Sequence, residues 1–138
     1  MSEENKAIAR KFLRMFELGD ASMADAIVAP EYYNHDAPDP SIGLAGTKEI
    51  VKSFKRGMAG AQANIEFQVA EGDKVISRYT WSGTHQGEFQ GVPATGKRVS
   101  WTATATFRIA NGKIREAWLN WDQLGLMQQL GAVPLPAE

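Results

Sequence analysis

Near residue 60 the apolar residues of this chain change their spacing, from intervals of three and four to alternation. Side chains recur on one helix face about every 3.6 residues and on one strand face every two, so the change demands helices first and a sheet second. Ser2 before Glu3 and Glu4 has the chemistry of a helix start, and Ile8, Phe12, Met15 and Phe16 then share one face before Gly19 ends the element. A short second helix is expected from about Ser22 to Val28, stopped by Pro30. Thr47 is expected to open a third, with Ile50, Val51, Phe54 and Met58 opposite Lys48, Lys52, Lys55 and Arg56. Tyr32–Asp36 reads as a brief extended piece.

The alternating half permits hairpin arithmetic. Asn111-Gly112 is a strong two-residue turn signal and pairs residues whose numbers sum to 223. Phe107 then faces Glu116, Ala105 faces Trp118, Ala103 faces Asn120 and Trp101 faces Asp122. A three-residue turn at Glu71-Gly72-Asp73 pairs numbers summing to 144, so Val69 meets Val75, Ile65 meets Tyr79 and Ala63 meets Trp81. The second half is thus predicted as a four-stranded antiparallel meander with one face under the helices, an α+β domain. A last helix from about Gln123 to Leu130 precedes the Pro134-Leu135-Pro136 tail, and residues 1–138 read as one domain.

With 15 basic against 16 acidic side chains among 138 residues, the chain has no net field to hold a polyanion, which argues against nucleic acid. No apolar run approaches the roughly 20 residues of a membrane span. The charged N-terminus lacks a signal-peptide core, so the expected location is cytoplasmic. Zero cysteines exclude thiolate chemistry and Cys-ligated metals. His35 and His85 show no metal-ligand spacing, and neither metal nor cofactor is expected, although a site of both histidines with Asp36 or Asp122 is arithmetically open. Gly91–Lys97 matches the glycine spacing of a phosphate-binding loop, but Arg98 and a strand follow where a hydroxyl residue and a helix are required.

In the predicted register, Ala103 and Ala105 lie between the large rings of Trp101 and Trp118, which suggests a cavity floor with aromatic walls. Asn120 and Asp122 would lie on the same face, and His85 near its end. Asp122 has two readings: the N-cap of the last helix, or a carboxylate desolvated between Trp101 and Trp118 and so raised toward the range of a general base. His85 is either a rim histidine or a proton donor. His35 and Asp36 suit turn chemistry, and Asn34 or His35 could reach the cavity mouth. Phe12, Phe16 and Trp81 are expected in the core, some of them lining the cavity.

The segments His85–Val99 and Trp118–Gly131, with Tyr32-Tyr33-Asn34-His35, resemble the SnoaL-like polyketide cyclase family over nearly the whole chain. The resemblance implies a cone-shaped α+β barrel of the nuclear-transport-factor and ketosteroid-isomerase type. It also implies a pocket between a curved sheet and the N-terminal helices. Characterised cyclases of the family close a ring by an intramolecular aldol step with an Asp base and an assisting His; those positions align with Leu119 and Ala105, and Asn34 matches a pocket asparagine. Many members carry an Asp at the position of Asp122, and relatives hydroxylate or only bind.

The leading expectation is a cofactor-independent enzyme that removes a proton beside the carbonyl of a small, mostly apolar compound. Asp122 would be the base, and His85 with Asn34 or His35 would polarise the oxygen. The alternative is a non-catalytic binding domain for a hydrophobic metabolite. The uncovered sheet face should present Ala117, Leu119 and Trp121, predicting a two-fold homodimer with Trp121 near its centre.

Overall fold

The computed structural model describes residues 2–134. In chain order it contains α1 (Ser2–Leu18), a 3₁₀ turn (Ala21–Met23), α2 (Ala24–Ile27), β1 (Val28–Asn34), α3 (Gly43–Gly57), β2 (Met58–Glu71), β3 (Lys74–His85), β4 (Arg98–Ala110), β5 (Lys113–Trp121) and α4 (Gln123–Gln129). The tail from Leu135 onward lies outside the described residues.

The strands form one mixed sheet in the order β1-β5-β4-β3-β2. Four are the antiparallel meander, and β1 adds a parallel edge beside β5. Pro30 fits there because an edge strand tolerates a missing donor. The sheet has free edges at β1 and β2, so the expected cone is open and not a closed barrel. Helices α1 and α3 cover its inner face, with α1 on β2 and β3 and α3 on β1 and β2.

Two helix boundaries differ from the sequence expectation. The segment after Gly19 divides into a 3₁₀ turn, capped by the Asp20 carboxylate accepting from the Ser22 N–H at 3.1 Å, and the short α2. Helix α3 begins four residues before Thr47, whose hydroxyl donates back to the Gly43 carbonyl at 2.9 Å from a buried position. Thr47 therefore satisfies its hydroxyl inside the helix, not as its cap.

The inner face of β4 alternates as expected: Val99, Trp101, Ala103, Ala105, Phe107 and Ile109 are all buried. Phe12 of α1 meets Phe107 edge-on at 4.8 Å between ring centroids, joining helix to sheet. Burial of a side chain such as Phe107 stabilises the fold by about 1.5–3 kcal/mol.

The β4–β5 hairpin departs from the register that its turn predicts. Between β4 and β5, Ile109 pairs with Ile114 as predicted, but Arg108 pairs with Glu116, which makes Arg115 an extra residue on β5. Every later pair shifts by one: Phe107 faces Ala117, Ala105 faces Leu119, and Ala103 faces Trp121. The shift moves Glu116, Trp118 and Asn120 off the helix-covered face and brings Ala117, Leu119 and Trp121 onto it. The cause is visible in the sequence, where apolar parity changes from even at Ile114 to odd at Ala117, Leu119 and Trp121. An unslipped strand would set Glu116 against Phe107; the bulge instead gives Glu116 the Arg108 guanidinium on the outer face.

Candidate functional site

A cavity of about 320 Å³ lies between α1, α3 and the inner face of the sheet. Its floor exists because Ala103 stands between larger neighbours, with Tyr79 on β3 and Trp121 on β5 as its cross-strand partners. Phe12 and Phe16 from α1, Phe54 from α3, and Trp81, Trp101 and Phe89 complete an aromatic wall. Phe54 lies 4.9 Å from Trp81 and 5.9 Å from Phe89 between ring centroids, so α3 joins the sheet to the loop after β3. Trp101 and Trp121 lie 6.3 Å apart. A cavity of this composition suits a flat, largely apolar ligand.

Polar groups enter mainly from the end of β1. Asn34, the last residue of β1, faces the cavity, and the turn after it, closed by the Ala37 N–H donating to the Asn34 carbonyl at 3.2 Å, brings Asp36 to the same wall and leaves His35 on the other side. The buried Asn34 accepts the Asp36 N–H on its Oδ1 at 3.0 Å, which leaves its amide nitrogen as a donor. The Asp36 carboxylate accepts the Leu119 N–H on Oδ2 at 2.8 Å, which fixes its place at the mouth and leaves Oδ1 as an acceptor. Asp36 is the only carboxylate among the described wall residues. Ser53, Gln90 and Asn120 add polar edges, and the Tyr79 phenol is held well above its ordinary pKa by burial.

The sequence-predicted residues divide accordingly. Phe12, Phe16, Trp81, Trp101, Asn34 and Asn120 reach the wall, although Asn120 does so from an exposed position. Trp118 does not: the register shift puts it on the outer face, where its indole stacks on the His35 ring at 4.5 Å and 5°. His35 also contacts Glu116 at 2.9 Å. The Glu116 carboxyl is held below its usual range by hydrogen bonds from His35 and then Arg108. His35 thus belongs to a surface cluster and not to the cavity.

Asp122 caps α4, accepting the Gly125 N–H at 2.9 Å, and it is exposed and outside the wall. His85 is fully buried and also outside the wall. Its Nδ1 accepts the Thr95 backbone N–H at 3.2 Å and meets the Thr95 hydroxyl at 2.9 Å, while that hydroxyl oxygen accepts the Lys97 N–H at 3.3 Å. This network assigns the ring proton to Nε2, which has no hydrogen-bond partner. His85 therefore anchors the loop that leads from β3 to β4. Among the described residues no three metal-ligating side chains gather.

Sequence reasoning missed Tyr79, Asp36, Leu119, Trp121 and Phe89 as wall residues. The parity switch in β5 could have found Leu119 and Trp121, whereas Asp36 lies in a turn beyond β1, where alternation gives no signal. Phe89 sits in a loop with no periodic signal.

An open α+β sheet, covered by helices around an aromatic cavity, defines a pocket protein of the expected class. The chain belongs to the SnoaL-like polyketide cyclase family, whose sequence profile matches residues 6–130. It is similar to the aklanonic acid methyl ester cyclase DauD of Streptomyces sp. (strain C5), at 28% identity over 129 residues covering 90% of this chain and 80% of that one. Among solved structures it resembles TsrD from Streptomyces laurentii, with TM-score 0.89, 28% identity and coverage of 96% and 98%. It also resembles AclR from Streptomyces galilaeus, proposed to be a hydroxylase, with TM-score 0.84, 28% identity and coverage of 100% and 87%. No helix among the described residues is long and apolar enough to cross a membrane.

Proposed function

We propose that the protein is a cyclase- or isomerase-type enzyme that binds a small, flat, hydrophobic carbonyl compound in this cavity and removes a proton beside the carbonyl. The observation that carries the reading is the pairing of an aromatic cavity over Ala103 with a tethered carboxylate, Asp36, at its mouth. The carbon–hydrogen bond breaks, the proton passes to Asp36 Oδ1, and the electron pair moves onto the carbonyl oxygen. The Asn34 amide nitrogen is placed to stabilise developing charge at the same end. The role first assigned to Asp122 passes to Asp36, because Asp36 borders the cavity and Asp122 is occupied as a helix cap.

A second reading, passive binding, is favoured by one observation. The positions that align with the family's acid–base pair carry Ala105 and Leu119, and these are direct cross-strand partners in the structure. Proton exchange decides between the two. α-Tetralone incubated with the protein in heavy water should exchange the hydrogens beside its carbonyl faster than in buffer, followed by proton NMR. Asp36→Asn should slow that exchange about a hundredfold or more, while Asp122→Asn retains it. Binding without accelerated exchange would establish the passive reading.

Pairing of two copies through the outer sheet face remains part of the proposal, with a changed centre. Trp121 lines the cavity, so the aromatic residue presented outward is Trp118, in its cluster with His35 and Tyr33. Phe67, Val69 and Ile76 extend the exposed apolar surface on β2 and β3. Light scattering at micromolar concentration should give twice the 15.1 kDa chain mass, and Trp118→Glu should return it to one. A wild-type monomer would refute the pairing.

A further inference from the structure

Tyr79 is nine-tenths buried on the inner face of β3, borders the cavity, and makes no hydrogen bond to the described residues through its hydroxyl. Its oxygen is not sealed in the core but keeps access to the cavity, so it draws its hydrogen-bond partner from whatever fills that cavity. Tyr32, on β1, is buried as well. Its hydroxyl is also unpartnered, but it is sealed away from solvent and Tyr32 does not border the cavity. Of these two phenols, that of Tyr79 is the one a bound molecule can reach.

The register places Tyr79 beside the small side chain that makes room in the cavity. Tyr79 and Trp121 flank Ala103 on neighbouring strands, so the space above that small side chain has a phenol on one side and an indole on the other. The adjoining row holds Ala105 and Leu119, neither of which has a polar side-chain atom. Asn34 and Asp36, by contrast, approach from the end of β1.

We propose that Tyr79 is the hydrogen-bond donor that anchors a carbonyl oxygen of the ligand above Ala103, and so selects oxygenated over plain aromatic compounds. The assignment rests on the pocket reading above and deepens it. A phenol is protonated at neutral pH, and burial holds that of Tyr79 further in the protonated, donating form. A carbonyl oxygen offers the acceptor lone pairs that the cavity wall does not supply beside it. As a proton leaves the neighbouring carbon, charge accumulates on that oxygen and the same hydrogen bond strengthens.

Two probes of the same shape test the anchor: α-tetralone, which has the carbonyl, and tetralin, which lacks it. Their binding is followed by quenching of the cavity tryptophans in wild type, Tyr79→Phe and Tyr32→Phe. Wild type should bind α-tetralone about tenfold more tightly than tetralin, as one well-placed hydrogen bond allows. Tyr79→Phe, which keeps the ring, should erase that preference while leaving tetralin binding intact; Tyr32→Phe should leave both unchanged. The infrared carbonyl stretch of bound α-tetralone should lie at lower frequency in wild type than in Tyr79→Phe, a shift that a merely structural tyrosine would not produce. If Tyr79→Phe keeps both the preference and the shifted stretch, the anchor is overturned and the pocket stands. If neither probe binds wild type, the pocket reading itself falls, and the anchor with it.

Discussion

The β2–β3 and β4–β5 hairpins each contain a one-residue slip, with opposite consequences for the cavity. In β2–β3 the turn is the two-residue Gly72-Asp73, with Gly72 at φ 60°, so Glu71 pairs with Lys74 and Val69 with Ile76. A second irregularity between Ile65 and Phe67 then restores Ile65 opposite Tyr79 and Ala63 opposite Trp81. The two departures cancel before the cavity is reached, and Tyr79 and Trp81 face inward. In β4–β5 the single bulge at Arg115 follows directly after the turn and nothing cancels it. All of β5 beyond it is inverted, and that is the part that lines the cavity. A local slip is therefore harmless or decisive according to whether a second one lies between it and the site.

The two hairpins differ most in consequence at Ala117. In the slipped register it is fully buried against Phe107, so Ala117→Glu places an uncompensated charge in the core and should cost about 3–5 kcal/mol in urea denaturation. Asn120→Glu, from an exposed position on the same strand, should change stability by no more than about 0.5 kcal/mol. The reverse order, with Asn120→Glu the costlier change, would mean that the bulge is absent in solution.

Asp122 sharpens the same point with a smaller effect. Asp122→Ala should lower stability by about 1 kcal/mol through the lost cap, whereas Asp122→Asn, itself a good cap, should retain most of it. A similar loss in both variants would show that the carboxylate's charge, and not its capping, supports the fold.

The smallest effect belongs to the outer face that the bulge creates. Glu116 is held below its usual range by His35 and Arg108, so its depressed folded pKa contributes stability above the ordinary carboxylate range and loses it as pH falls through the depressed value. Because the cluster is partly solvated, Glu116→Gln should cost less than about 1 kcal/mol at pH 7, and the difference from wild type should shrink toward pH 3. A constant difference across that interval would exclude the ion-pair origin.

What the sequence determined by itself are the features whose causes lie within a few residues of chain. The amphipathic period of α1, the Asn111-Gly112 turn with both residues at positive φ, the Asp122 cap, and the alternation of β4 all have local steric or hydrogen-bonding origins. The wall residues Phe12, Phe16, Trp81 and Trp101 followed from that alternation and from helical spacing. Tertiary structure alone decided what depends on a partner distant in the chain. The parity switch in β5 marks the bulge at Arg115 in the sequence, but the contacts that secure it are distant in the chain: Ala117, Leu119 and Trp121 turn toward the helices while Glu116 finds Arg108 and His35 and Arg115 finds Glu31. The parallel addition of β1 to β5 brings Asn34 and Asp36 over the cavity mouth, with Asp36 tethered to Leu119 across 83 residues of sequence. Local propensities are blind to such pairings, because a strand has no preferred face until another element covers one of them.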